Sequence, residues 1–301
     1  MSRSLRVARG TLLVLAIGAS TASLAAELSV ADLCGQCRVE KVASCGGFLE
    51  GATVAPDGTL WALDLSGDRI LNITDKGECA VRGKSGSTPN GAKFAKDGRM
   101  FIAARSGLLT FDPKTAAISV VVDSFEGKPL GGLNDLAFDK DGGLYFTIPE
   151  GSDVLKPQGR VFYLPPGATA PVLLTDKIAF PNGVVAGPDG RSVLVAEFAM
   201  KRVLSMPAAN VKGGIAVTYV YANTQGGVGP DGITVDSKGR LFTANLGAGE
   251  VLAFSDVGRP LGAIRLPDDA GKLVSNLVVR GEYLYFVEAM KGEVWRVRLE
   301  K

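Results

Sequence analysis

The sequence contains no histidine. This absence excludes Ser-His-Asp triads, histidine general bases, zinc sites built on imidazole and histidine-ligated haem. An excess of one charge sign is also missing, because 33 Lys and Arg residues nearly balance 31 Asp and Glu residues. Since the chain also has no sustained basic stripe, it lacks the electrostatic footprint of a protein that binds nucleic acid.

Long apolar runs are equally scarce. The run near the N-terminus, Thr11 to Ala19, is shorter than the roughly 20 residues needed to span a bilayer. Arginines precede it and the small-residue stretch Ser23-Leu24-Ala25 follows it, which is the pattern of a secretory signal peptide. We therefore expect a cleaved signal peptide at residues 1–25, and a periplasmic or secreted protein that no longer contacts the membrane.

Cysteine is rare, with four residues at Cys34, Cys37, Cys45 and Cys79. An even number of cysteines in an exported protein indicates disulfides, and four cysteines allow three pairings. The sequence alone does not choose among them. The Cys34–Cys37 spacing also suits redox chemistry, but no thioredoxin-like βαβ pattern surrounds it, so we expect structural bridges.

Glycine, in contrast, is abundant, with 39 residues, and it occurs within a repeated unit. Each copy is rich in Val, Leu, Phe and Tyr, and is broken by Asp-Gly or Lys-Gly turns of the kind that close β-hairpins. A polar residue opens every copy. These residues are Glu50, Asn90, Asn134, Asn182, Asp231 and Asn276.

A unit of roughly 40–50 residues with four strands has the period of a propeller blade. The repeat therefore predicts an all-β fold, a six-bladed β-propeller of four-stranded blades, in one domain over residues 26–301. The segment Arg38 to Ala43 precedes the first copy, and the last copy supplies only three strands. We expect this N-terminal strand to pair with the last blade as its outermost strand and so close the ring, since an open ring leaves unpaired edges.

The repeat also predicts a site. The innermost strand of each blade lines the central channel, so the six opening residues should lie near one end of it. Asn-Gly and Asp-Gly are ordinary turn formers, but Glu50 is costly to bury without a partner. Glu50 and Asp231 would bring two negative charges into one channel, which favours a bound cation or protonation of one carboxyl group. Oxygen ligands favour one hard divalent ion, with Ca²⁺ expected and Mg²⁺, Mn²⁺ or Zn²⁺ as alternatives.

Several motifs in order resemble the regucalcin/gluconolactonase (senescence marker protein, luciferin-regenerating enzyme) family of six-bladed propellers. They are FLEG around Glu50, LND around Asn134, FPNGV around Asn182 and PDGITVD around Asp231, and the similarity runs from about Phe48 to Leu299.

The resemblance implies a metal-dependent hydrolase of a lactone or related ester, with a small-molecule substrate and a monomeric chain. Glu50, Asn182 and Asp231 would then be the metal ligands. Asp231 would also be a candidate general base, with Asp135 as a second candidate. Asn134 and Asn90 would contact the substrate.

The chain departs from this family at two positions. Members that act on sugar lactones often carry Arg where Gly132 stands, and Asp where Ile148 stands. The departures favour a less polar lactone or ester over a sugar-acid lactone. Two other functions remain open: a secreted propeller that binds a ligand or protein without catalysis, and a propeller related to strictosidine synthases or phosphotriester-cleaving enzymes.

Overall fold

In the computed structural model, which describes residues 33–209 and 217–300, the chain forms six four-stranded antiparallel sheets. The signal peptide expected at residues 1–25 lies outside the described residues. The N-terminal strand β1 spans Val39–Ser44. Blade 1 contains β2 Leu49–Val54, β3 Leu60–Asp64, β4 Arg69–Ile73 and β5 Cys79–Gly83. Blade 2 contains β6 Pro89–Phe94, β7 Met100–Ala104, β8 Gly107–Phe111 and β9 Ile118–Val122.

A short hairpin, β10 Ser124–Phe125 and β11 Lys128–Pro129, precedes the third blade. Blade 3 contains β12 Leu136–Phe138, β13 Leu144–Ile148, β14 Gly159–Leu164 and β15 Val172–Ile178. Blade 4 contains β16 Pro181–Ala186, β17 Ser192–Glu197, a 3₁₀ turn at Phe198–Met200, β18 Arg202–Pro207 and β19 Tyr219–Asn223. Blade 5 contains β20 Gly229–Val235, β21 Leu241–Leu246, β22 Glu250–Phe254 and β23 Pro260–Arg265. Blade 6 contains β24 Val274–Arg280, β25 Tyr283–Glu288 and β26 Glu293–Arg298.

The first strand of each blade lies at the centre of the ring. Each of these strands contacts the first strands of the blades on either side, in the order β2, β6, β12, β16, β20, β24 and back to β2. The fourth strands lie at the outer edges of their sheets. This confirms the six-bladed propeller and places the polar residues that open the copies around one axis.

Apolar side chains fill the spaces between neighbouring blades. Trp61 of blade 1 packs edge-on against Phe111 of blade 2, with ring centroids 6.3 Å apart. Phe242 of blade 5 and Phe286 of blade 6 belong to one fully buried cluster. Burial of this kind is the main favourable contribution to folding, so the interfaces between blades, rather than single sheets, stabilise the ring.

The ring closes as predicted. β1 pairs antiparallel with β26, with Val39 opposite Val297 and Ser44 opposite Glu293, and becomes the outermost strand of blade 6. The last blade is thereby built from both ends of the described chain. At the axial side, the Ser275 hydroxyl donates a 2.7 Å hydrogen bond to the Leu49 carbonyl and joins blade 6 to blade 1.

The structure pairs Cys34 with Cys37 and Cys45 with Cys79. Cys45 directly follows the outermost strand of blade 6, and Cys79 opens the outermost strand of blade 1. The second disulfide therefore crosses the junction at which the ring closes. The first lies beside the apolar cluster shared by blades 5 and 6.

The disulfide across the closing junction should stabilise the fold more than the short one. A double Cys45→Ser/Cys79→Ser variant should lose about 3–4 kcal/mol of unfolding free energy, because the closed loop spans 34 residues and restricts the unfolded chain. Cys34→Ser/Cys37→Ser, which opens a loop of 3 residues, is the matched control and should lose less than half of that. Urea unfolding of both variants measures the two losses. Equal losses would contradict the larger stabilisation expected from the Cys45–Cys79 disulfide.

Among the described residues, no helix has the length and apolar character needed to cross a bilayer.

Candidate functional site

The channel end at which the inner strands begin has an irregular backbone. The register of the first two strands shifts at the opening residues in five blades, for example between Glu50 and Thr53 and between Pro230 and Ile233. Such bulges redirect side chains and are common next to functional sites. In these five blades the bulge therefore begins at or directly beside the opening polar residue.

The glycine after an opening residue allows the blades to approach each other closely. A Cβ atom on Gly183 would lie 2.5 Å from the carbonyl oxygen of Asp231 in the next blade, so no larger residue fits. Gly91 donates a 2.7 Å backbone hydrogen bond to the carbonyl of Asn134. The Gly of each Asn-Gly and Asp-Gly pair is therefore required at the axis by packing between blades, and not only by turn formation.

Two blades carry a side chain at this glycine position. In blade 3 it is Asp135, whose backbone carbonyl accepts a 3.0 Å hydrogen bond from the Thr147 amide. In blade 6 the register places Ser275 at the opening position, with Asn276 at the position of the glycine. The prediction that Asn276 opens the sixth copy was therefore wrong by one residue. Asp135 is the acid at this position, and its Oδ1 atom lies against Gly91 of blade 2, where a Cβ atom would come within 2.4 Å of it.

Three carboxyl groups are buried together at this end of the channel. Glu50, Asp135 and Asp231 have exposed fractions of 5%, 1% and 6%. Burial raises the pKa of Glu50 well above its ordinary value, and the charges of Asp231 and Asp135 raise it further. Burial and, second, the charge of Asp135 raise the pKa of Asp231 to about 8. Neighbouring carboxyl groups therefore make ionisation of Glu50 and of Asp231 less favourable.

Asn182 links this acidic group to the fourth blade. Its side chain hydrogen-bonds the carboxylate of Asp231, which lowers the pKa of that group. Its own backbone carbonyl accepts a 2.7 Å hydrogen bond from the Thr147 hydroxyl, so its position is fixed from the third blade. The structure therefore brings the predicted ligands Asn182 and Asp231 into direct contact, with Glu50 close enough to interact electrostatically with Asp231.

Asp135 is incompletely paired. Its Oδ2 atom accepts a 3.2 Å hydrogen bond from the backbone of Val184, whereas its buried Oδ1 atom has no partner. Burial raises the pKa of this carboxyl group, although the positive charge of Lys93 opposes the rise. An unpartnered buried acceptor is uncommon, and it leaves Oδ1 available to a proton or a ligand.

No ion pair forms to any of the three acids within residues 33–209 and 217–300. In the same residues, no group of three or more His, Cys, Asp or Glu side chains has an arrangement that would hold a metal ion. The metal ligands predicted from the sequence are a different kind of group, because they combine the carboxylates of Glu50 and Asp231 with the amide of Asn182.

A cavity of about 350 Å³ opens beside this acidic centre. Its wall contains both predicted substrate contacts, Asn90 and Asn134, which are partly exposed. The other lining residues are Leu65, Thr88, Arg105, Gly132, Leu133, Pro149, Glu150 and Phe180. The predicted residues thus form two groups, a buried acidic group and an amide pair that faces a cavity.

Blades 2 and 3, which border this cavity, lack an acid that other blades have. The second strand ends in a buried Asp64 in blade 1 and a buried Glu197 in blade 4, each paired with an arginine. The equivalent residues of blades 2 and 3 are Ala104 and Ile148, which are fully buried. Ile148, noted as a departure from the family, is therefore buried in the apolar cluster that also contains Leu133, behind the cavity wall.

Sequence reasoning missed Arg105 and Phe180. Arg105 lies at the tip of the hairpin between β7 and β8 and lines the same cavity as Gly132. A cationic side chain therefore reaches this cavity from blade 2. The available signal was the position of Arg105 directly after the second strand of its copy, where hairpin tips face the same end as the opening residues.

The acid–arginine pairs beside the cavity predict a pH effect on stability. Burial alone would raise the pKa of Asp64, but hydrogen bonds from Arg69, Ser66 and the backbone lower it below its ordinary value. A lowered folded-state pKa contributes stability that is present above the unfolded pKa and lost as the pH falls through the folded pKa. Asp64→Asn should therefore lose about 3 kcal/mol at neutral pH.

This loss should shrink once the pH falls below about 4, where the carboxyl group of the unfolded chain is protonated. Asp97→Asn breaks an exposed pair with Arg99 and should cost less than about 1 kcal/mol. Denaturant unfolding of both variants across this pH range is the measurement. A pH-independent loss of stability in Asp64→Asn would contradict a lowered pKa of Asp64 in the folded protein.

A six-bladed ring with buried acids at one end of its axis and a cavity beside them defines the class of propellers with an acidic axial site. The chain belongs to the SMP-30/Gluconolactonase/LRE-like family, whose model matches residues 48–284.

Named relatives agree with this membership. A protein named lactonase drp35 from Staphylococcus epidermidis is 27% identical over 248 residues, which cover 78% of this chain and 74% of the relative. The protein of the same name from Staphylococcus haemolyticus is 26% identical over 249 residues, with the same shares covered.

Solved structures show the same fold. A gluconolactonase from Xanthomonas campestris superposes with a TM-score of 0.79 at 23% identity, covering 90% of this chain and 92% of its own. A calcium-binding regucalcin from Agrobacterium tumefaciens gives a TM-score of 0.73 at 19% identity, covering 86% and 93%. At these identities the structural likeness concerns the fold.

Proposed function

We propose that this protein is an exported, divalent-metal-dependent hydrolase of a lactone or related ester. The observation that carries the proposal is the buried group of Glu50, Asp135 and Asp231 at one end of the channel, next to the amides of Asn90 and Asn134. Family membership and relatives named lactonase support the reaction class.

The residues present fit a hard cation. Burial, with added repulsion from neighbouring carboxyl groups, raises the pKa of both Glu50 and Asp231, so a positive charge between them would stabilise their ionised forms. Carboxylate and amide oxygens are ligands of Ca²⁺, and the related Agrobacterium protein is described as calcium-binding. We propose Glu50, Asn182 and Asp231 as the ligands and Ca²⁺ as the ion.

When bound, a divalent cation supplies a Lewis acid that polarises the lactone carbonyl and balances the charge that develops on its oxygen. The side chains of the protein do the rest. Asp231 is engaged by Asn182, whereas the Oδ1 atom of Asp135 is free. Of the two candidate bases, Asp135 is therefore the one we assign to take the proton from the attacking water.

The amide pair has a positioning role in this proposal. Asn90 and Asn134 face the cavity from neighbouring blades, and amides can donate to a carbonyl or ring oxygen as well as accept from a hydroxyl. They would hold the lactone ring at the mouth of the acidic centre. Their backbone positions are coupled, since Gly91 donates to the Asn134 carbonyl.

Export is part of the proposal as well. Disulfides persist mainly in oxidising compartments, and the chain forms two of them. This agrees with the signal peptide expected at residues 1–25 and with a periplasmic or secreted location.

Hydrolysis of lactones with and without cation tests the function. The purified protein should hydrolyse a lactone in a pH-stat assay, lose this activity in a chelator and regain it with Ca²⁺. Activity that survives exhaustive chelation would contradict the metal dependence. Absence of hydrolysis across aliphatic, aryl and sugar lactones in Ca²⁺ would favour the binding propeller instead.

A further inference from the structure

Phe180 has an unusual backbone. Its φ angle is +61°, in the left-handed region that aromatic residues rarely adopt. It also precedes Pro181, and a proline restricts the residue before it to extended conformations. Two independent rules therefore disfavour the conformation of Phe180, two residues before the proposed ligand Asn182.

The surrounding structure holds this backbone in place. The Phe180 amide donates a 3.1 Å hydrogen bond to the buried hydroxyl of Ser152. The Phe180 carbonyl accepts a 3.0 Å hydrogen bond from the Phe198 amide. The same Ser152 hydroxyl donates to the carbonyl of Ile178 at 2.8 Å. A disfavoured conformation that is fixed from both sides is most often found at functional sites.

The conformation directs the Phe180 ring to the cavity. The ring is half-buried, forms part of the wall that Asn90 and Asn134 also line, and packs at 5.3 Å and a tilt of 45° against Phe198. On the opposite side of the strand start, Asn182 is buried with the acids. The segment Phe180–Asn182 thus contributes a ring to the cavity and a ligand to the acidic centre.

The cavity wall has an apolar part beside its polar side chains, which are the two asparagines, Thr88, Arg105 and Glu150. Leu65, Leu133 and Pro149 form the apolar part together with Phe180. Hydroxyl groups packed against this apolar part would have no partners there, which is costly. An aryl or alkyl group would instead bury apolar area there.

We propose that Phe180 is the specificity-determining residue of this site, and that its ring is the wall against which an apolar substituent of the lactone packs. The inference rests on the proposed lactone hydrolysis, since it names the substrate class of that site as lactones with an aryl or alkyl substituent. The hydrogen bond that Phe180 donates to Ser152 and the one that it accepts from the Phe198 amide hold its backbone, and so its ring, beside the amide pair.

The test compares γ-phenyl-γ-butyrolactone with unsubstituted γ-butyrolactone, in wild type, Phe180→Asn and Phe180→Leu. In Phe180→Asn, loss of the ring should raise the KM for the phenyl lactone, relative to the KM for the unsubstituted lactone, about tenfold. The rise should be smaller in Phe180→Leu. Asn tolerates positive φ, whereas Leu does not, so Phe180→Asn should melt at a higher temperature than Phe180→Leu. Phe180→Gly removes both the ring and the strain, and serves if Phe180→Asn does not fold.

Phe198→Leu is the matched control, because the Phe198 ring contacts Phe180 but does not line the cavity. Its KM ratio should stay within about twofold of wild type. A Phe180→Asn or Phe180→Gly ratio equal to that of wild type would overturn the proposal.

A binding readout separates this proposal from the hydrolytic function. The lactams 5-phenyl-2-pyrrolidinone and 2-pyrrolidinone resist hydrolysis and can be titrated by calorimetry. Wild type should prefer the phenyl lactam, and Phe180→Asn should lose the preference. If wild type keeps this preference but hydrolyses neither lactone, the hydrolytic function fails while the apolar wall stands. If wild type shows no preference, the wall is contradicted even when both lactones are hydrolysed.

Discussion

Asp135→Asn should lower kcat for lactone hydrolysis by about 10²–10⁴-fold, the usual contribution of a general base, and leave Ca²⁺ binding nearly unchanged. Asn keeps the shape and the acceptor that Val184 uses, but it cannot take a proton. Because Asp135 occupies a position that is glycine in most blades, the loss should follow from its chemistry and not from collapse of the ring.

Steady-state kinetics and calorimetric Ca²⁺ titration of the same preparation measure both effects. Asp57→Asn, an exposed acid in the turn between β2 and β3, is the control and should retain wild-type kcat. If Asp135→Asn loses Ca²⁺ binding together with activity, Asp135 is a ligand and not the base. If it keeps full activity, Asp231 is the better candidate for the base.

The second large effect is that replacing the buried Glu50 by a neutral residue should stabilise the metal-free protein. In chelator near neutral pH, Glu50→Gln should be more stable than wild type. Burial beside Asp231 and Asp135 raises the pKa of Glu50. A raised folded-state pKa means that stability falls as the pH rises from the unfolded pKa towards the folded one, by about 1.4 kcal/mol for each unit between them. Gln has no charge and avoids that loss.

Millimolar Ca²⁺ should reverse the order. Wild type gains about 2.7 kcal/mol at a cation concentration one hundred times Kd, whereas Glu50→Gln has lost a ligand and gains little. Thermal melts of both proteins in chelator and in Ca²⁺ give the four values. A Glu50→Gln variant that is less stable than wild type in chelator would mean that other groups of the protein already compensate the Glu50 charge.

The repeat and its closure could be predicted from sequence because local chemistry encodes them. The turn glycine, such as Gly58 with φ of +85°, comes eight residues after the opening polar residue in the first five copies. The short last copy and the extra N-terminal strand together required the pairing of β1 with β26. The Cys45–Cys79 pairing was not encoded locally, because it depends on which outer strands meet at the closing junction.

The site could be predicted only in part. The opening residues identified Glu50, Asn182 and Asp231, because a ring brings equivalent positions together. The repeat sets Asp135 against the glycine of other copies, but the sequence does not reveal that its Oδ1 atom is buried without a partner, or that the backbone of Phe180 is left-handed before a proline. These features depend on how closely neighbouring blades approach, which a single sequence does not reveal.

Calorimetric titration of Ca²⁺ into metal-free wild type, Glu50→Gln and Asp231→Asn tests the axial cation site most directly. Elemental analysis of the purified proteins should accompany the titration. We expect one Ca²⁺ per wild-type chain and a loss of affinity of at least about tenfold in each variant, since each removes one charged ligand. Wild-type protein that holds no divalent ion even in millimolar Ca²⁺, or variants that bind Ca²⁺ as well as wild type, would contradict the axial cation site.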